Sequence, residues 1–279
     1  MKNEKIALTL KHLVVKHGDG CELCNNDESV LERNRCPHCK TVWAARDVSL
    51  QVYQGEILGV VGESGSGKST LMKSLYMDME PTQGEYFLDC YEQGEKNIFE
   101  LSMQQKKYVR NYLLGMVYQN PYLGLRMFFS SGANVAEKLI AAGNRNVADM
   151  MNQCNSLLSH MEVPVSRVKE PPRNFSGGMQ QRVQIAKAIA NHPPILFLDE
   201  VTTGLDLSVQ AKVLDLVKKI QLEYGITMIV VSHDLAVIRM LADRTIVMLD
   251  GKIVEEGLTD QIMEDPQHIY TQTLVNSLL

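Results

Sequence analysis

Apolar and polar positions change period several times along the chain, and the changes outline an α/β protein. Residues 6–16 are rich in β-branched and apolar side chains and read as a strand, and residues 48–53 resume the alternation of a second one. Residues 56–61 form a short apolar run, the pattern of a strand buried on both faces. It leads directly into Gly62-Glu63-Ser64-Gly65-Ser66-Gly67-Lys68-Ser69, after which residues 70–79, starting at Thr70, take up helical spacing. Further strands are predicted at residues 195–198, 227–231 and 245–249, separated by helical patterns such as 179–190 and 207–223. From about Asn120 to Phe175 the chain turns helical and methionine-rich, most clearly at 135–142 and 147–160. The predicted organisation is a single domain over residues 1–279, with a small module inserted at 18–44 and a helical subdomain at 120–178.

Composition supports a buried core: of 279 residues, 45% are hydrophobic and 22% charged. Lys plus Arg number 28 and Asp plus Glu 33, a net charge of −5 that provides no cationic field for a nucleic-acid backbone. The longest stretch without a charge, between Arg110 and Arg126, is interrupted by polar residues and Pro121 and is too short to cross a hydrocarbon core. The first eleven residues carry Lys2, Glu4, Lys5 and Lys11 and lack a continuous apolar segment, so the expected location is cytoplasmic.

In that compartment clustered thiols are more often metal ligands than disulfides. Cys21 and Cys24 form one Cys-x-x-Cys pair, Cys36 and Cys39 another, with residues 25–35 between them. Two such turns complete a tetrahedral site for a soft metal such as zinc, with iron as the alternative. Four thiolates close the shell, so the expected role is structural, fixing a loop or a docking surface. His38 is expected to be solvated, and Cys90 and Cys154 to be small buried thiols.

The segment Gly62 to Ser69 fits Gly-x-x-x-x-Gly-Lys-[Ser/Thr] in the strand-then-helix context that a phosphate loop needs. Its glycines let backbone amides point at a phosphate, Lys68 reaches the β and γ phosphates, and Ser69 can ligate magnesium. A second site is predicted at Ile195-Leu196-Phe197-Leu198-Asp199-Glu200, an apolar strand ending in two acids. There Asp199 holds magnesium through water and Glu200 polarises the attacking water. A third is Phe175-Ser176-Gly177-Gly178-Met179, a glycine-rich helix start and hence a second anion site.

Taken with Asp206 after Glu200, His233 after the strand at 227–231, and Gln119 after Met116-Val117-Tyr118, this order of motifs resembles the ATP-binding cassette family. The resemblance implies an α/β P-loop NTPase fold, ATP hydrolysis with Mg²⁺, and a homodimer or paired cassette subunit. In the head-to-tail pair, Gly62 to Thr70 of one chain and Ser176, Gly177 and Gly178 of the other sandwich each ATP. It also implies that His233 senses the γ phosphate, that Gln119 joins Ser69 near magnesium, and that Asp206 lies at the nucleotide. Phe175 and Met179 replace the usual Leu and Gln of the signature, and Val201 stands where Pro is common after the Glu, which is expected to loosen residues 201–206. The adenine-stacking aromatic falls to His17 or Trp43, on either side of the cysteine module.

Residues 117–126, 131–139, 175–183 and 204–211, and the tail 264–279 resemble the ATPase subunit of the carbon-phosphorus lyase system, a soluble complex for phosphonate breakdown. Oligopeptide and nickel importer ATPases, which energise permeases, share the phosphate loop, the Ser-Gly-Gly-Met signature and a tail like Asp265 to Thr271. They usually carry Ser-Leu-Asn-Pro where this chain has Gly124-Leu125-Arg126-Met127. A scaffold that only binds nucleotide conflicts with the presence of both Asp199 and Glu200.

Overall fold

The computed structural model describes residues 5–276, so Lys2 and Glu4, two of the charges used above, lie outside the described part. The strands are β1 (Ile6–His17), β2 (Val42–Tyr53), β3 (Ile57–Val61), β4 (Gln83–Leu88), β5 (Leu114–Val117), β6 (Ile195–Asp199), β7 (Thr227–Val231), β8 (Arg244–Leu249) and β9 (Lys252–Leu258). The helices are α1 (Glu22–Asn26), α2 (Lys68–Leu75), α3 (Met103–Tyr108), α4 (Pro121–Gly124), α5 (Ser131–Ala141), α6 (Val147–His160), α7 (Gly177–Ile189), α8 (Leu207–Tyr224), α9 (Leu235–Leu241), α10 (Thr259–Glu264) and α11 (Ile269–Asn276). Among the described residues, none of these helices is long and apolar enough to cross a membrane. The chain divides into two units, one running up to Ser102 and again from Val231, the other Met103–Val230.

In the first unit β1 lies between β2 and β4 in an antiparallel sheet, with Leu10 opposite Leu50 and Leu8 opposite Leu88. Leu8 and Leu10 are buried, and so are Leu13 and Val15, one position out of phase. The register shift between Leu10 and Leu13, with His12 at φ 51°, absorbs the extra residue and returns the apolar side chains to the core face. β2 starts at Val42, well before the alternation that marks it at Val48, because Trp43, Ala44 and Ala45 are all buried and erase the period. β3 is buried throughout and pairs in parallel with β8, from Leu58 opposite Arg244 to Val61 opposite Val247, and β9 closes antiparallel on β8. Glu56, just before β3, is buried and receives Arg244 Nη1 at 2.8 Å and the Tyr53 amide at 2.6 Å. Burial pushes its carboxyl above the usual range, against the pull of the Tyr53 amide and Arg244.

In the second unit β5 and β6 pair in parallel, from Leu114 opposite Ile195 to Val117 opposite Leu198, with β7 beside β6. Helices α5 and α6 pack on each other and on α7. Apolar positions three and four apart, such as Met150, Cys154, Leu157 and Leu158, line the buried face of α6, as its periodicity predicts. Lys138 of α5 is largely buried and donates to the carbonyls of Arg110 at 2.9 Å and Leu114 at 3.2 Å, fixing the turn of chain that enters β5.

Candidate functional site

The phosphate loop occupies the step from β3 to α2 in the first unit, and its glycines are required for different reasons. A Cβ on Gly62 would meet the Met248 carbonyl at 2.2 Å, and one on Gly67 the Ala44 carbonyl at 2.2 Å, so close backbone approach demands glycine at both. Gly65 has open space but stands at φ 85°, where a side chain is strained. Lys68 is buried, and its ammonium donates to the carbonyls of Gly62 at 2.7 Å and Glu63 at 2.8 Å. Ser64, Gly65 and Ser69 are exposed along the loop and the first turn of α2, and Ser66 is buried beneath it. His233 is exposed in the turn before α9, next to Ser232, whose amide donates to Val60 at 3.2 Å. One support of the loop has no sequence signal of its own: the Glu63 amide donates to the Tyr270 hydroxyl of α11 at 2.7 Å.

The second unit gathers Gln119, Asp199 and Glu200. Asp199 ends β6 and is buried, while Glu200 turns the chain at φ 46°. Gln119 Nε2 donates to Glu200 Oε2 at 2.9 Å, and the Thr203 hydroxyl donates to the same oxygen at 3.2 Å. At Val201, where proline is common, the side chain is buried and the Thr203 amide closes a turn on the Glu200 carbonyl at 3.1 Å.

Ser176 caps α7 by accepting from the Met179 amide at 3.4 Å. A Cβ on Gly178 would lie 2.3 Å from Val209 Cγ1, so this glycine also permits α7 and α8 to approach. Asp206 caps α8, accepting from the Ser208 hydroxyl at 2.7 Å and the Val209 amide at 3.0 Å, and these donors hold its carboxyl below the usual range. Two residues outside the motif pattern bind this region together. Gln184 accepts from the Tyr118 amide at 2.9 Å and donates to the Tyr118 carbonyl at 3.0 Å and to Gln181 Oε1 at 2.9 Å. Gln181 then donates to the Gln119 carbonyl at 3.3 Å. The available signal was two amide side chains on the otherwise apolar buried face of α7.

The four clustered cysteines do converge, with their Sγ atoms all within 4.8 Å of one another. Cys21 to Cys24 is 3.7 Å, Cys21 to Cys36 3.8 Å, and Cys24 to Cys39 3.7 Å. A tetrahedral zinc with Zn–S bonds of about 2.3 Å has sulfur–sulfur edges of about 3.8 Å, so the thiol set matches that ion in both donor chemistry and size. The Thr41 hydroxyl and amide lower the Cys39 thiol to about 6, toward the thiolate that binds metal. Trp43 is 4% exposed and packs against Cys24 and Cys36, which makes it a wedge of this module and no open stacking surface; His17 is exposed. His38 is exposed as expected, and Cys154 is buried. Cys90 is exposed, contrary to its apolar neighbourhood in sequence, because it follows β4 at a turn.

A glycine-rich phosphate loop between strand and helix, with a Gln–Glu pair at a strand end, defines a P-loop nucleoside triphosphatase. The ABC transporter family model matches residues 45–203, and the chain belongs to the ABC ATPases, which hydrolyse ATP. It is 45% identical over 233 residues to PhnK of Escherichia coli (strain K12), an ATP-binding protein provisionally assigned to phosphonates utilization, covering 84% of this chain and 90% of that one. It is 36% identical over 239 residues to the glutathione import ATP-binding protein GsiA of the same organism, covering 83% of this chain and 38% of that longer one. The ATP-binding cassette MJ0796, solved as a dimer in a post-hydrolysis state with ADP and Pi, superposes with a TM-score of 0.75 at 29% identity, covering 90% of this chain and 98% of that one.

Proposed function

We propose that this chain is the ATP-hydrolysing subunit of a soluble carbon-phosphorus lyase complex for phosphonate breakdown, working in the cytoplasm as a head-to-tail pair. The observation that carries the phosphonate assignment is the 45% identity to PhnK, which extends over 84% of the chain. Similarity to the glutathione import protein is weaker, at 36%, and supports the importer alternative. The ATPase folds as one cassette domain over residues 1–279, with the helical subdomain at 120–178 and the cysteine module at 18–44.

Hydrolysis then uses this chain's residues as follows. Amides of Gly62 to Thr70 cradle the phosphates, and Lys68 turns its ammonium from the loop carbonyls to the β and γ oxygens. Glu200, aligned by Gln119 and Thr203, orients and polarises the attacking water. His233 contacts the γ phosphate, and Asp206 holds the turn beside it. Ser176, Gly177 and Gly178 of the second subunit donate to the γ phosphate across the pair. Ser69, Gln119 and Asp199 are hard oxygen donors suited to Mg²⁺, which neutralises developing phosphate charge when bound. Cys21, Cys24, Cys36 and Cys39 hold a structural zinc, supported by the match of sulfur spacing to its tetrahedral shell.

Purification of the tagged chain from its native cytosol under growth on a phosphonate tests the assignment. Co-purifying lyase-core subunits are the expected result; permease subunits in their place would overturn it in favour of an importer.

A further inference from the structure

The cysteine cluster and the phosphate loop are separated by a strand in sequence, yet they share neighbours in the first unit. Trp43 is the apolar wedge of the module: one side packs on Cys24 and Cys36, and the Lys16 ammonium lies 4.0 Å from its ring centroid. The residues that continue from this wedge form the floor of the loop. The Ala44 carbonyl lies where a Cβ on Gly67 would approach it to 2.2 Å, and the Trp43 carbonyl lies 2.7 Å from the same point on Gly251. Gly251 in turn donates its amide to the Ser66 carbonyl at 3.0 Å and accepts from the Arg46 amide at 2.7 Å. The module also touches the loop from its own hairpin. The Trp43 amide donates to the Asn34 carbonyl at 2.7 Å, Asn34 Nδ2 reaches the Gly65 carbonyl at 3.5 Å, and Arg33 faces Glu63 at 3.7 Å.

A module whose core is Cys24, Cys36 and Trp43, flanked by Val14, Cys21 and Leu31, buries too little apolar surface to hold its shape without ligation. When its sulfurs are unligated, the wedge loses its seat, and the Trp43 and Ala44 carbonyls that abut Gly251 and Gly67 lose their fixed positions. The glycines at 67 and 251 have no side chains to compensate, so the amides around Ser66 and Gly67 lose their preorganisation for phosphate.

We propose that metal at the cysteine cluster and nucleotide at the phosphate loop bind with positive coupling, transmitted by Trp43 and Ala44, which makes Trp43 a positioning residue for ATP. This rests on the zinc assignment above. Linkage requires reciprocity: zinc must tighten ATP binding by the same factor by which ATP tightens zinc binding. A coupling of about fivefold or more is expected, the lower end of measured linkages between sites.

The test uses the full chain, zinc-loaded and stripped by a chelator that is then dialysed away, with Mg²⁺ restored. ATP affinity is measured by calorimetry in both forms, and zinc affinity by competition with a chromophoric chelator with and without ATP. Equal factors of about fivefold or more in both directions are expected. The Trp43→Ala variant keeps all four ligands, and it should retain one zinc per chain while its coupling factor falls toward one. In the zinc-loaded state alone, Trp43→Ala should bind ATP about fivefold or more weakly than the zinc-loaded parent, and this comparison decides the matter even if the stripped chain loses structure. A chain that takes up no zinc overturns the zinc assignment itself. One bound zinc with unchanged ATP affinity, or full coupling in Trp43→Ala, overturns the coupling and leaves the zinc assignment standing.

Discussion

Gln119 Nε2 donates to Glu200 Oε2 at 2.9 Å, joining residues 81 positions apart. The contact takes up one oxygen of a carboxylate whose backbone sits in the left-handed region, at φ 46°. A non-glycine residue held there costs roughly 1–3 kcal/mol and persists when its surroundings over-determine it, as the Gln119 and Thr203 contacts do here. Alignment of this carboxylate is the feature on which catalysis in the proposed mechanism depends.

Replacing it with its neutral isostere isolates the chemistry. Glu200→Gln is expected to bind ATP as the parent does and to release phosphate about 10²- to 10⁴-fold more slowly, the range for a lost general base. Parent-level turnover would remove Glu200 from the mechanism. Lys68→Ala should instead weaken ATP binding itself, as read by calorimetry, because its charge is spent on ground-state phosphate oxygens as well.

Gly178→Ala places a methyl 2.3 Å from Val209 Cγ1, and Val is stiff at χ1 in a helix. Overpacking of this kind costs about 1–3 kcal/mol, seen as a lower urea midpoint. The double variant Gly178→Ala, Val209→Ala should recover much of the loss. No recovery would mean that Gly178 is required for a reason other than helix approach.

The legible parts of this molecule were those whose chemistry is local in sequence. The run at β3 feeding Gly62 to Ser69, and the acids ending β6, announce themselves because strand, loop and helix follow one another without interruption. β4 and β9 were not legible: polar residues such as Glu85, Glu255 and Glu256 break any apolar run, β4 buries only Tyr86 and Leu88, and no residue of β9 is fully buried. The early part of β2 was hidden for the opposite reason, since Trp43 to Ala45 are buried on both faces and show no alternation. Tyr270, Gln181 and Gln184 act through hydrogen bonds to backbone groups far away in sequence, and nothing in their neighbours' sequence marks those partners.

Arg244 tests the support beneath β3. It pairs with the buried Glu56 at 2.8 Å and also bonds Glu256, with its guanidinium 5.0 Å from the Tyr53 ring. Arg244→Ala strands a buried carboxylate and should destabilise the protein by about 3–5 kcal/mol. Adding Glu56→Gln removes the stranded charge and should return part of that stability in urea unfolding. A double variant as unstable as Arg244→Ala alone would show that the charge of Glu56 is not the source of the loss.

Tyr270→Phe removes the acceptor for the Glu63 amide without changing the ring. The expected cost is about 1–3 kcal/mol in the nucleotide-free protein, the penalty for an amide left without its partner. An unchanged urea midpoint would show that this hydroxyl does not support the loop.

The central claim is that two chains build each ATP site, with Ser176, Gly177 and Gly178 of one reaching the γ phosphate held by Lys68 of the other. The most direct measurement is light scattering of Glu200→Gln with saturating ATP and Mg²⁺, where slowed hydrolysis keeps the pair closed. The account predicts twice the single-chain mass with ATP and the single-chain mass without it, with a further Ser176→Arg substitution abolishing the pair. A Glu200→Gln protein that binds ATP and stays monomeric, even with its partner complex supplied, would contradict it.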